Sequence, residues 1–193
     1  MNRVVNRVVI GIDPGLKGGV CALVDGSIDR LESMPLRGAI VNVPALVSIF
    51  RQYKRRHVVI EAVGLRPSQA GVVTMVANWA RLLAAAEVLG IEPEIVQPKT
   101  WQRDVTDKEK LAAFPKVKRR RELIRQYCEF AQRTYPNASL MPPGKRAIQD
   151  GLAAALLIAR WKDHDIVSRS RGIATADALM GIFGMVRVNN DTK

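Results

Sequence analysis

Cysteine is scarce in this sequence, and long apolar segments are missing. Cys21 and Cys128 are its two cysteines, and neither belongs to a spacing typical of a disulfide framework or a metal site. A reducing, cytosolic setting is therefore the default expectation. The longest apolar stretch, near residues 152–159, is too short to cross a bilayer, and the first residues lack the long apolar core of a signal peptide. We expect no membrane partner.

Acidic residues are also in deficit. There are 18 Asp and Glu against 30 Lys and Arg, so the formal net charge is +12 and the sequence pI is about 10.3. A field of this sign attracts polyanions, and nucleic acid is the commonest of these in a cell. The alternative is a generically basic soluble protein, and the distribution of the cations along the chain has to decide.

The first strongly patterned stretch is residues 8–15, which read Val-Val-Ile-Gly-Ile-Asp-Pro-Gly. Its β-branched apolar residues predict a strand buried on both faces, and the Pro-Gly pair ends that strand. Asp13 therefore lies at the end of a buried strand, where a bare carboxylate is costly unless a cation or hydrogen bonds compensate. Either Asp13 opens an Asx-turn before Pro14, or it belongs to a functional site.

A second acid occupies the equivalent place in residues 57–63, where Glu61 interrupts another β-branched run near its end. If the two strands are parallel neighbours, Asp13 and Glu61 lie side by side at the carboxyl end of the sheet, where open α/β sheets place their sites. Two close carboxylates repel each other unless a cation lies between them. Oxygen ligands suit a hard divalent ion, so this pair predicts a Mg²⁺ or Mn²⁺ site.

A third carboxylate is carried by the last strong helical pattern, which we predict over residues 145–161. Asp150 lies within it between Gln149 and Gly151, and small residues on the apolar stripe allow close packing onto a sheet. If Asp150 faces the sheet, it completes a set of three carboxylates. The alternative is a surface Asp in the first turns of the helix, where the helix dipole favours an acid.

The cations cluster between residues 103 and 121, and residues 116–121 hold five of them within six positions. A solvated helix face usually mixes both signs of charge, whereas acids are sparse here. The run therefore predicts a phosphate contact surface. A nuclear-localisation signal is the alternative interpretation of such a run.

The remaining patterns predict an α/β protein with a mixed sheet of about five strands flanked by helices. Three strands joined by short turns over residues 8–34 predict an antiparallel meander, and the later strands follow helices. After residue 161 we expect a polar connector and a short apolar helix over residues 173–188 that contains Asp177. Residues 15–19 lack the spacing of a phosphate-binding P-loop, so no nucleotide cofactor is expected.

Four motifs in this order resemble the RNase H-like fold and, within it, the RuvC-type Holliday junction resolvases, particularly their phage-borne relatives. The motifs are residues 11–15 (Gly-Ile-Asp-Pro-Gly), 59–61 (Val-Ile-Glu), 96–101 (Val-Gln-Pro-Lys-Thr-Trp) and 150–159 (Asp-Gly-Leu-Ala-Ala-Ala-Leu-Leu-Ile-Ala). The resemblance covers the chain from about residue 8 to residue 161. It implies a single RNase H-like nuclease domain over residues 1–193, with residues 162–193 as a C-terminal extension.

The resemblance implies a structure-selective endonuclease that resolves four-way DNA junctions by paired symmetric nicks leaving 5′ phosphates. Asp13, Glu61 and Asp150 match the acids that bind two Mg²⁺ or Mn²⁺ ions, and Lys99 matches the basic residue near the scissile phosphate. A homodimer in the cytoplasm of a bacterial or phage-infected cell is also implied, with the apolar helix over residues 72–89 as its interface. The expected DNA contacts are Lys17, Arg66, Ser68, Gln69, Lys108, Lys110, Lys116, Lys118, Arg119, Arg120 and Arg121.

One position departs from the family pattern. Relatives carry a second acid three or four residues after the helix Asp, where this chain has Ala153 and Ala154. Either three carboxylates suffice, or another acid such as Asp163 or Asp177 substitutes, or cleavage is impaired. A protein that binds branched DNA without cutting it, and a nuclease for other branched DNA or for RNA–DNA hybrids, are therefore the alternative functions.

Overall fold

The computed structural model describes residues 7–64, 71–142, 144 and 147–186, with residues 172–186 as backbone alone. The strands are β1 (Val8–Asp13), β2 (Gly19–Val24), β3 (Ser27–Ser33), β4 (Leu36–Arg37), β5 (Ile40–Val41), β6 (Arg56–Glu61) and β7 (Glu94–Val96). The helices are α1 (Val43–Arg51), α2 (Val72–Glu87), α3 (Pro98–Gln102), α4 (Lys108–Ala112), α5 (Lys116–Thr134) and α6 (Asp150–Val186).

Five of the strands form one mixed sheet in the order β3-β2-β1-β6-β7. Strands β1, β2 and β3 make the antiparallel meander, and β1 pairs in parallel with β6, which pairs in parallel with β7. The sequence-based prediction of a mixed sheet of about five strands flanked by helices is confirmed. The short hairpin of β4 and β5 was not predicted, because two residues per strand are too few to show a period.

Both faces of the sheet are covered, which is why β1 reads as a continuous apolar run. On one face, Val9 and Val59 pack with α3, α5 and α6. On the other face, Ile10 and Ile60 pack in a second core to which α1 and α2 contribute. The alternation of side chains along each strand thus feeds two hydrophobic cores.

Helix α6 crosses β1 at very close range, and Gly11 makes that approach possible. A Cβ atom at Gly11 would collide with the backbone carbonyl of Ala155 and the backbone nitrogen of Ala159. From Gly151 to Ala159 every residue of α6 is buried, mostly as alanine and leucine. This close packing fixes where the first residue of α6, Asp150, lies relative to the end of β1.

The boundaries of the last helices differ from the prediction. Helix α6 begins at Asp150 rather than at residue 145, and it continues through the predicted connector after Trp161 to Val186. Lys162, Asp165 and Arg169 explain the continuity, since they form ion pairs at (i, i+3) and (i, i+4) spacing that support a helix through its polar stretch. Helix α5 begins at Lys116, so the basic run forms its first turns. Among the described residues no helix is both long and apolar enough to span a membrane.

Candidate active site

The strand register brings two of the predicted acids to the same edge of the sheet. Ile12 of β1 is paired with Ile60 of β6 in a parallel ladder, so Asp13 and Glu61 end adjacent strands at the carboxyl edge. Both side chains are half-buried and line one cleft of about 710 Å³. The other residues lining this cleft are Pro14, Gly15, Ala62, Val63, Gly64, Met75, Pro98 and Arg120.

The cleft raises the pKa of both carboxyl groups. Burial raises the pKa of Asp13 to about 6, and the charge of Asp150 adds to the effect. Burial raises the pKa of Glu61 to about 7, and the charge of Asp13 again adds to it. Each carboxyl group also accepts one hydrogen bond that opposes the rise: Asp13 Oδ1 from the Gly15 N–H at 3.3 Å, and Glu61 Oε2 from an indole N–H. Two neighbouring acids whose ionisation is this costly are candidates for a functional site.

The indole that holds Glu61 belongs to Trp101, whose Nε1 donates to Glu61 Oε2 at 2.7 Å. Trp101 is 1% exposed, and its ring packs edge-on against Tyr127 with a centroid distance of 5.5 Å. Sequence reasoning included Trp101 in a motif without giving it a role. The available signal is general: the N–H of a buried tryptophan needs an acceptor, but the sequence does not say which one.

Asp150 reaches the site from the first turn of α6, which is fastened to the loop between β1 and β2. The Gln149 side chain donates to the carbonyl oxygens of Lys17 and Gly18 at 2.8 and 3.0 Å. A side chain at Gly151 would collide with the Lys17 backbone, so only glycine allows this contact. Asp150 is half-buried and acts electrostatically on Asp13, but it is not among the residues that line the cleft.

Asp13 and Glu61 suit a divalent cation in their chemistry. Both offer carboxylate oxygens as ligands, and the charge of Asp13 raises the pKa of Glu61. Within the described residues neither forms an ion pair with Lys or Arg. Among the described residues, no third side chain that could bind the metal lies close to both of them. In the part of the chain that the structure describes, no three Asp, Glu, His or Cys side chains converge closely enough to form a ready metal site.

The two acids considered as substitutes for the missing family carboxylate lie elsewhere. Asp163 forms an ion pair with Arg7 at 2.6 Å, just before the start of β1, whereas Asp13 is at its end. The length of β1 separates them by about 20 Å. Asp177 lies on the continuous α6, about 40 Å along the helix axis from Asp150. Asp163 and Asp177 therefore lie too far from Asp13 to complete this site within one chain, which leaves the other two alternatives open.

The residues at the departing position itself belong to the core. Ala153 is 0% exposed and Ala154 is 5% exposed, and both pack in the cluster that includes Trp101 and Tyr127. Methyl groups therefore fill the place one helical turn after Asp150 where the resemblance predicted a further acid. Asp13 and Glu61 are therefore the only two acids among the described residues that line the cleft.

The cation that lines the cleft is Arg120 of α5. Lys99 is exposed on α3, between Pro98, which lines the cleft, and Trp101, but it does not line the cleft itself. Lys17 is exposed on the loop between β1 and β2, which α6 contacts. The structure thus brings Arg120 closer to the acids than the sequence indicated, and leaves Lys99 at the rim.

The basic run forms the first turns of α5, where the helix dipole makes positive charge unfavourable. Most of its cations are exposed and, within the described residues, form no ion pair; they are Lys116, Lys118, Arg120 and Arg121. Arg119 differs, because its guanidinium donates to the carbonyl oxygens of Phe114 and Ala112 and so closes the end of α4. Lys108 and Lys110 are exposed on α4. The expected contacts Arg66, Ser68 and Gln69 lie outside the described residues.

This chain is similar to known proteins in structure rather than in sequence. No family model matches the chain, and no curated protein does. The RuvC of T. thermophilus, solved in complex with a Holliday junction substrate, is 17% identical with a TM-score of 0.51, covering 85% of this chain and 96% of that one. A further Thermus thermophilus RuvC structure is 18% identical with a TM-score of 0.48, covering 84% of this chain and 96% of that one. The chain therefore has the RNase H-like fold that RuvC also has.

Proposed function

We propose that this protein is a metal-dependent endonuclease that resolves four-way DNA junctions by paired symmetric nicks leaving 5′ phosphates. The observation that carries the proposal is the pair Asp13 and Glu61, half-buried on adjacent parallel strands in a cleft that a cation of α5 also lines. The structural similarity to a RuvC bound to a Holliday junction supports the choice of substrate. A phage-borne relative acting in the cytoplasm of a bacterial or infected cell is the narrower form of this proposal.

The chain's own residues would orient the reacting groups. Two Mg²⁺ or Mn²⁺ ions held by Asp13, Glu61 and Asp150 would supply a water of lowered pKa as the nucleophile and stabilise the leaving 3′ oxygen. Trp101 fixes one oxygen of Glu61, and the Gly15 N–H holds one oxygen of Asp13. Arg120 in the cleft and Lys99 at its rim would offset negative charge as it develops on the phosphate.

The exposed cations would hold the arms of the junction through phosphate contacts. Such contacts position DNA without reading bases, so selectivity would come from the shape of the junction. Arg120 belongs to the basic run of α5 and also lines the cleft, so a DNA strand held by the run would come close to the acids. The residues proposed to touch the junction centre are Arg66, Ser68 and Gln69, which follow Gly64 in the sequence.

Paired nicks need two sites, and we propose that α2 forms the contact between two copies. Leu82 and Ala86 of this helix are buried, while Val73 is 78% exposed and Val76 is 44% exposed. Two-fold dimers are the commonest oligomers, and exposed apolar side chains on one helix favour such a contact. A Val73→Asp substitution would convert a dimer to a monomer by light scattering; a wild-type protein that is monomeric at micromolar concentration would contradict the proposal.

A second function is favoured by one observation, the buried Ala153 and Ala154. Without the family's further acid, the protein would bind branched DNA and cut it slowly or not at all. Metal-dependent turnover distinguishes the two functions, since a binding protein would shift the junction in a gel in Mg²⁺ or Mn²⁺ without nicking it.

The test of the proposal is a cleavage assay with a metal titration on four substrates: a four-way junction, a flap, a linear duplex and an RNA–DNA hybrid. We expect nicks at symmetric positions in the junction, dependent on Mg²⁺ or Mn²⁺. Faster cleavage of the hybrid or flap would instead assign another nuclease of the same fold. Binding without nicking under all conditions would leave the binding protein as the function.

A further inference from the structure

A second cleft of about 700 Å³ lies at the opposite edge of the sheet. Arg56 begins β6 and is paired in register with Val8 of β1, so this cleft is formed at the amino ends of the strands whose carboxyl ends carry Asp13 and Glu61. About 20 Å of strand separates the two edges. We call it the amino-edge groove; its lining residues are Arg7, Val8, Lys54, Arg55, Arg56, His57, Leu89, Gly90, Ile91, Glu92, Ile166 and Ser170.

The groove holds more positive than negative charge. Lys54, Arg55 and Arg56 follow one another in the chain, and among the described residues no acid forms an ion pair with any of them. The fourth cation of the lining, Arg7, is already paired with Asp163. Glu92 is the one acid that lines the groove. Lys54 and Arg55 are exposed, so their charged groups can meet a ligand without rearrangement of the core.

Arg56 adds a buried charged donor beneath these exposed cations. Its side chain is half-buried, it donates from Nη1 to the carbonyl oxygen of Tyr53, and its Nε is buried without a hydrogen-bond partner in the described part of the chain. Burial lowers the pKa of the guanidinium below its usual value, with no carboxylate to offset it. A buried donor left unsatisfied on a charged group costs free energy. An anionic group held in the groove would offset that cost through its charge.

The form of the groove favours an extended ligand. It is open to solvent, its cations are long side chains on one short segment, and its apolar wall includes Leu89, Ile91 and Ile166. Three consecutive cations at an open groove suit the phosphates of a nucleic-acid backbone. The overall charge of +12 favours the same class of partner.

We propose that the amino-edge groove is a second phosphate-binding site, which takes the backbone of a nucleic-acid segment lying outside the catalytic cleft. Lys54 and Arg55 contact the phosphates, and Arg56 adds charge from beneath them. The site goes beyond the proposed function, because it lies at the far edge of the sheet from the acids and takes no part in cleavage.

The test compares two double variants with the same change of charge. Lys54→Gln with Arg55→Gln removes two exposed cations of the groove, and the control, Arg37→Gln with Arg51→Gln, removes two exposed cations that line neither cleft. Binding of a labelled linear duplex is followed by fluorescence anisotropy over a series of NaCl concentrations. We expect the groove variant to reduce the slope of log K against log salt by about two, and the control to leave it unchanged. Equal slopes for the two variants would overturn the proposal.

Inorganic tripolyphosphate provides the second arm. If it raises the melting temperature of the wild type and not of the groove variant, while the duplex slopes are equal, the ligand is a small polyphosphate and the backbone assignment is wrong. Arg56 is left intact because it is half-buried, and thermal unfolding of both variants checks that they fold. Junction nicking is measured in parallel: its absence in the wild type would refute the proposed function and leave the duplex-binding result standing.

Discussion

The aspartates at the two ends of β1 differ in how their charge is compensated. Asp163, near the amino end, forms an ion pair with Arg7. Asp13, at the carboxyl end, is half-buried beside a second acid and has one weak backbone hydrogen bond. The first arrangement is what structural stability alone produces, since a charge leaving water is matched by a partner. The second costs stability, and a pair of acids in a cleft without a compensating charge is the feature on which we base the proposed cation site.

The largest expected effect on stability is at Asp13. The pKa of Asp13 rises from an ordinary value of 3.8 to about 6 on folding. The free energy of unfolding is therefore higher at low pH, where Asp13 is protonated, and falls as the pH rises through 6. Glu61, with a pKa of about 7, extends the loss to pH 7. In EDTA at about pH 8, Asp13→Asn should raise the free energy of unfolding by roughly 2–3 kcal/mol, and by almost nothing at about pH 4.

Denaturant unfolding of Asp13→Asn and the wild type at the two pH values measures this effect. Addition of Mg²⁺ should stabilise the wild type at the higher pH and not at the lower, where protons already neutralise the pair. Equal stability of variant and wild type at both pH values would show that the pair is not strained.

Ala154, one turn after Asp150, offers a test of whether the cleft at Asp13 lacks an acid. Ala154→Glu places an acid in a core site that is 5% exposed, and we expect it to destabilise the protein by about 2 kcal/mol without divalent cations. Ala154→Gln is the matched control for size. If the glutamate completes the site, Mn²⁺ stabilises the Glu variant more than the Gln variant and junction nicking increases. Equal nicking by the wild type and Ala154→Glu would mean that three carboxylates suffice.

A smaller effect is expected at Trp101, which holds Glu61. Trp101→Phe removes the 2.7 Å hydrogen bond to Glu61 and should lower the nicking rate about tenfold, or about 1.4 kcal/mol. This bond opposes the rise in the pKa of Glu61, so its loss should also move the acidic limb of the pH–rate profile to higher pH. Tyr127→Phe keeps the aromatic contact and serves as control. A rate reduced without any shift of the profile would point to a packing defect instead.

The smallest effect is expected at the amino end. Asp163→Asn breaks a partly exposed ion pair with Arg7 and should lower the free energy of unfolding by about 1 kcal/mol at neutral pH, with nicking unchanged. Thermal unfolding measures this loss. Asp163→Asn should thus lower the free energy of unfolding, whereas Asp13→Asn should raise it. A stabilised Asp163→Asn variant would contradict the difference between the two ends of β1.

The sheet was predictable from sequence because buried strands are marked by β-branched runs, and the placement of Asp13 beside Glu61 followed from parallel pairing. The bond from Trp101 to Glu61 was not predicted, since the two residues are 40 positions apart and meet only because β7, just before α3, pairs with β6. The length of α6 was also missed, because ion pairs at helical spacing carry it through a stretch without apolar periodicity. No described acid forms an ion pair with Lys54 or Arg55. Which acids lie near a given cation depends on the fold, so the sequence alone did not predict this. The division of residues 1–193 into a core and an extension stays a prediction.

The most direct measurement is the rate of nicking of a four-way junction by the wild type, Asp13→Asn and Asp163→Asn, in Mg²⁺ and in Mn²⁺ at about pH 8. We predict metal-dependent symmetric nicks with 5′ phosphates for the wild type and for Asp163→Asn, and a loss of at least about 100-fold for Asp13→Asn, as expected when a group acting at the transition state is removed. Nicking by Asp13→Asn at the wild-type rate would contradict the assignment of Asp13 to the active site.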